Sequence, residues 1–112
     1  MTLSLEAAMK IGAALPDVER TTSWGQPTLK VRGQMMACVP THKSAEPGSL
    51  VIRVDRGARE GMLTEQPELY YIKEHYAGYD AVLVRLDRAT PEIMRDLMAM
   101  AHRYVSRKKR RG

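Results

Sequence analysis

A chain of 112 residues, 44% apolar and 28% charged, can build one core but not two independent ones. A single cysteine, Cys38, excludes an internal disulfide, and no run reaches the roughly 18 apolar residues that a membrane helix needs. The formal net charge of +5 is unevenly placed: positions 1–102 hold 12 basic against 13 acidic side chains, while Arg103, Arg107, Lys108, Lys109, Arg110 and Arg111 crowd the C-terminal end.

The opening MTLSLEAAMKIGAAL places Glu6 and Lys10 within its apolar stretch and no cation ahead of it, unlike a secretory leader. The expectation is a cytoplasmic, non-membrane protein with one domain over residues 1–106 and a basic tail over 107–112. Ser4 caps a predicted helix whose stripe runs through Leu5, Ala8, Met9 and Gly12, and Pro16 stops it. A polar connection containing Trp24, Gly25 and Pro27 follows. TLKVRGQMMACV then alternates about a glycine turn, as a β-hairpin does. With Gly33 and Gln34 as a two-residue type II′ turn, Leu29, Val31, Met36 and Cys38 share one face, and Lys30 and Arg32 the other.

PTHKSAEPG reads as a loop, SLVIRVD as a strand with Leu50, Ile52 and Val54 opposite Arg53, and residues 57–66 as a short helix. Leu69–Lys73 is a further candidate strand, and AVLVRLD sets Val82, Val84 and Leu86 against Leu83 and Arg85. Thr90 and Pro91 start a helix that runs to about Ser106. The resulting fold class is α+β: an antiparallel sheet of about five strands with helices packed on one face. Eight methionines and no phenylalanine imply a core filled by thioethers.

No motif points to catalysis. His42, His75 and His102 are scattered, and the paired spacings of a zinc site and the glycine-rich phosphate loops are both absent, so neither a metal nor another cofactor is expected. Two constellations stand out. Trp24, His42, His75, Tyr76 and Tyr79 lie on loops, where they either line a pocket or close a core poor in other rings. Lys30, Arg32, Arg53 and Arg85 occupy central positions on the polar sheet face with no acid among them, which is either an anion-binding surface or an ordinary half-exposed one. The cations at the end of the last helix also suit the negative end of its dipole.

Taken together, ALPDVERTTSWGQPTLKVRGQMMACVPTH, SLVIRVD, YIKEHYAGYDAVLVRLD and the closing helix resemble the MmcQ/YjbR family of small bacterial proteins over about residues 3–105. The combination WGxPxxKVRG with HYxGYxAVLVRL carries the resemblance, with Trp24, Gly25, Pro27, His75, Tyr76, Gly78 and Tyr79 in place. The resemblance implies a fold like that of the CyaY or frataxin-like proteins and DNA binding through paired β wings, the first around Lys30, Arg32, Gly33 and Gln34. Leu29 and Met36 stand where family members often have aromatics, and Gln34 where a lysine is frequent at the wing tip.

The leading expectation is therefore a DNA-binding module contacting phosphates through Lys30, Arg32, Arg53, Arg85, Arg103, Arg107, Lys108, Lys109, Arg110 and Arg111, without strong sequence preference. The alternatives are a small-molecule or peptide site built from Trp24, His42, His75, Tyr76 and Tyr79, and a protein-interaction module using a sheet edge or a methionine-rich surface.

Overall fold

In a computed structural model that describes residues 3–108, the chain forms helix α1 (Leu5–Ala13), strands β1 (Val18–Ser23), β2 (Gln26–Val31), β3 (Gln34–Cys38) and β4 (Ser49–Arg53), helix α2 (Arg56–Glu65), strand β5 (Tyr70–Tyr71), helix α3 (Glu74–Ala77), strand β6 (Ala81–Arg85) and helix α4 (Pro91–Lys108). The strands make one antiparallel sheet in the order β1-β2-β3-β4-β6-β5. Six strands replace the expected five because β1 had read as a polar connection. It is an edge strand with an exposed, Thr-rich sequence and no apolar alternation, so its identity rests on pairing with β2 rather than on burial.

The two caps anticipated from sequence hold their helices: Ser4 Oγ accepts the Ala7 N–H and Thr90 Oγ1 accepts the Ile93 N–H. A third, not anticipated, is the Asp55 carboxylate, which accepts from Gly57 and Ala58 at the start of α2. The main core lies between the sheet and the α1–α4 layer, where Met9, Leu29, Val31, Met36, Leu50, Ile52, Met94 and Met98 are fully buried. Thioethers from α1, α4 and β3 thus fill the space that aromatic rings fill elsewhere. The layers pack tightly at Gly12, where a Cβ would stand 2.5 Å from Leu29 Cδ1 and 2.8 Å from Met98 Sδ.

The β2–β3 hairpin departs from the expected turn. Arg32 and Gly33 both have positive φ, 49° and 84°, so the turn centres on Arg32–Gly33 in type I′ fashion, with Val31 opposite Gln34. A register shift between Leu29 and Lys30 then sets Leu29 against Ala37 and Thr28 against Cys38. Leu29, Val31 and Met36 still face the helices, but Cys38 moves to the other side of the sheet, where it packs with Val51, Tyr76 and Leu83. HYAGY, expected as a loop, opens with the single helical turn α3 that lies on this second face.

Candidate functional site

Helices α1 and α4 cover one sheet face; the other is covered only in part, by α3 and the 39–48 loop. Two tyrosines fasten that cover: the Tyr76 hydroxyl accepts the His42 N–H at 3.2 Å, and the Tyr71 hydroxyl accepts the Glu46 N–H at 2.8 Å. What stays open is a groove of about 740 Å³ along β2, β3 and β4. Ser23, Trp24 and Thr41 line one end, Lys30, Met35, Cys38 and Val51 the floor, and Arg53, Arg56, Tyr79 and Asp80 the other end, with His75 and Tyr76 at the side.

The ends differ in their chemistry. Trp24 and Gly25 form the β1–β2 turn with φ of 51° and 78°, and the indole stands 89% exposed. At the far end Arg59, buried beneath the Tyr79 loop, donates to the carbonyls of Ala77, Tyr79 and Ala81. Those bonds pin the backbone while the Tyr79 ring remains 58% exposed. Arg53 donates to the carbonyls of Asp80 and Met35 and lies 5.6 Å from the centre of the Tyr104 ring. Arg56 pairs with the Asp80 carboxylate at 2.8 Å, and the Tyr104 hydroxyl donates to its other oxygen.

Lys30, on the floor, makes no ion pair among the described residues. Cys38 is inert in this setting: burial pushes its thiol up to about 11, so the nucleophilic thiolate is scarce at neutral pH. His42 stacks on His75 with centroids 3.8 Å apart, and its Nδ1 accepts the Ser44 N–H, so the pair supports the loop cover. Among the described residues, no three His, Cys, Asp or Glu side chains gather as a metal site requires.

The structure therefore brings four of the five ring-bearing residues together with two of the four sheet cations. Trp24, His75, Tyr76, Tyr79, Lys30 and Arg53 share the groove. His42 sits behind it. Arg32, at the β2–β3 turn, pairs with Asp17 at 2.9 Å, and Arg85 is held by both oxygens of Glu46 and lies over the Tyr71 ring at 4.4 Å. The four sheet cations do not form one track, because the acids that neutralise two of them come from turns and loops distant in sequence. Arg56 was missed, since its position in a polar helix start gave no sign that it would reach Asp80.

Arg103 and Arg107 border a second, smaller depression with Asp55, Ala58 and Tyr104. Tyr104 links it to the Asp80 end of the groove. The Lys108 side chain, Lys109, Arg110 and Arg111 lie outside the described residues. No described helix is long and apolar enough to cross a membrane.

The sequence model of the YjbR family matches residues 13–104. In fold the chain is similar to the crystal structure of a Deinococcus radiodurans protein with domain DUF419, at a TM-score of 0.78 and 20% identity over 98% of this chain and 83% of that one. No curated protein matches the sequence.

Proposed function

Because the chain belongs to the MmcQ/YjbR family, whose resemblance implies DNA contact through β wings, we propose that it is a DNA-binding module acting by binding rather than catalysis, with the open sheet groove as its interface. The observation that carries this reading is the groove's charge. Among the described residues, Lys30, Arg53 and Arg56 line the groove with a single lining carboxylate, Asp80, already engaged by Arg56 and Tyr104, and Glu19 stands opposite Lys30 on β1 without forming an ion pair with it. A surplus of fixed positive charge along a strand-length trough suits a phosphate backbone, with affinity driven by counterion release.

Lys30 is the central phosphate contact. Arg53 and Arg56 supply charge at one end, and Arg103 and Arg107 extend it past Tyr104 towards the tail. Arg32 and Arg85 contribute less, since each already has a carboxylate partner. The contacts are sequence-independent: α4 turns its apolar stripe into the core and presents no recognition surface to a major groove.

The test is a DNA titration at two salt concentrations. Binding should weaken steeply with salt, and Lys30→Ala should lower the slope of log affinity against log salt by about 0.7 to 0.9, one phosphate contact. No affinity at low salt would end the proposal. Salt-insensitive binding of an uncharged ligand at His75 and Tyr76 would favour the small-molecule reading instead.

A further inference from the structure

Trp24 occupies a place that a folding argument alone would give to another residue. Its indole is 89% exposed, so it adds almost nothing to the core, and its φ of 51° lies in the left-handed region that asparagine and glycine fill at far lower cost in a type I′ turn. A large ring held in solvent on a strained backbone, at the mouth of a cationic groove, is the arrangement expected of a contact surface. Tyr79 repeats the pattern at the other end, with its backbone pinned by Arg59 and its ring 58% exposed.

The two rings are far apart along the sheet. Trp24 adjoins the end where β3 stops and β4 begins, whereas Tyr79 lies just before Ala81, which pairs with Arg53 at the opposite end of β4. The five-residue strand between those ends spans on the order of 15 Å, too far for one base to touch both rings. Lys30 pairs with Met35, whose carbonyl Arg53 reaches, so its cation stands on the floor at the level of the Tyr79 end. A span of that length takes several nucleotides of a single strand, which offers unstacked bases to the exposed rings and phosphates to the groove's cations. A duplex keeps its bases stacked on one another and offers these rings no π-face.

We propose that the groove takes an unpaired stretch of nucleic acid several nucleotides long, with one base stacked on Trp24, another on Tyr79, and phosphates of the same stretch on Lys30 and the arginines at the Tyr79 end. This rests on the phosphate-binding reading above and adds the requirement for accessible bases. DNA, RNA and free nucleotides share the chemistry; a strand differs from a nucleotide in being able to reach both rings.

Trp24 is the sole tryptophan, so intrinsic fluorescence reports on this site alone. The experiment titrates the full chain with a thymidine oligomer, a uridine oligomer, a DNA duplex and thymidine monophosphate at low salt. Either oligomer, or both, should quench the fluorescence and bind more tightly than the duplex or the mononucleotide, and the stronger of the two identifies the source. Trp24→Asn should weaken oligomer binding roughly 5- to 150-fold, the usual effect of losing one stacked base, while Trp24→Tyr retains most of it. Because asparagine suits the left-handed turn, Trp24→Asn should melt no lower than the parent, which separates binding from folding. Arg95→Gln, on the exposed side of α4, is the charge control.

Three results overturn the inference. Duplex binding as tight as oligomer binding, with Trp24→Asn indifferent, removes base stacking and leaves the phosphate reading standing. Equal affinity for thymidine monophosphate assigns the groove to a free nucleotide. Absence of binding to every probe removes both readings together.

Discussion

The two faces of the sheet use the same strands for opposite ends. On the helix side Leu29, Val31, Leu50, Ile52, Val82 and Val84 pack against α1 and α4 with no charged side chain among them. On the open side the same strands present Lys30, Met35, Cys38, Val51 and Arg53 to a groove that no helix longer than α3 covers. Alternation along a strand forces this division, because residues two apart share a face and neighbours do not. Stability is thus concentrated on one side and ligand chemistry on the other.

The largest break in that comparison comes from truncating one side chain on the helix face. Leu50→Ala should cost about 2 to 5 kcal/mol, since Leu50 is fully buried among methionines that cannot fill the cavity completely. For a domain of this size that is a substantial share of the folding free energy. Chemical denaturation of Leu50→Ala beside Trp24→Asn measures the contrast directly: a large fall for the first, none for the second. Comparable losses from both would mean that the open face also holds the fold together.

This division explains what was legible in the residues. Strands β4 and β6 and helices α1 and α4 declared themselves through apolar periodicity and through Ser4, Thr90 and Pro91, features written in consecutive residues. Strand β1 did not, because an exposed edge needs no apolar alternation. The β2–β3 turn was misplaced by one residue because Arg32 takes a left-handed conformation usually left to asparagine or glycine, and the register shift that sends Cys38 to the open face leaves no trace in composition. The groove was half visible. Its rings and its cations were each noticed, but that they share one groove, or that Asp17 and Glu46 take Arg32 and Arg85 away, depends on the tertiary fold, the two ion pairs spanning 15 and 39 positions.

A second, smaller effect tests how the open face is held. Arg59 is a buried cation with no carboxylate partner among the described residues, and its guanidinium instead gathers three backbone carbonyls beneath Tyr79. Arg59→Met keeps much of the volume and removes the donors, leaving the Ala81 carbonyl to lose a buried bond. The expected loss is about 1.5 to 3 kcal/mol, accompanied by faster amide exchange in residues 77–81. Unchanged exchange there would show that the loop is ordered without Arg59.

The smallest effect concerns a charge that the groove does not use. Arg85 lies on the same face as Arg53, one strand over and at the other end, yet Glu46 grips it through two bonds of 2.9 Å. Those hydrogen bonds hold the Glu46 carboxyl below the usual glutamate range, with the Arg85 charge adding to the effect. A carboxyl that is more acidic in the folded state contributes stability above its unfolded value, about pH 4.3, and loses it as the pH falls through the folded one. Both side chains are partly exposed, so the contribution should stay below about 1 kcal/mol. Glu46→Gln should therefore melt slightly below the parent at pH 7, and the gap should close in acid as the parent's own carboxyl takes up its proton. A gap that persisted below about pH 3 would show that the side chain anchors the 39–48 loop by shape rather than by charge.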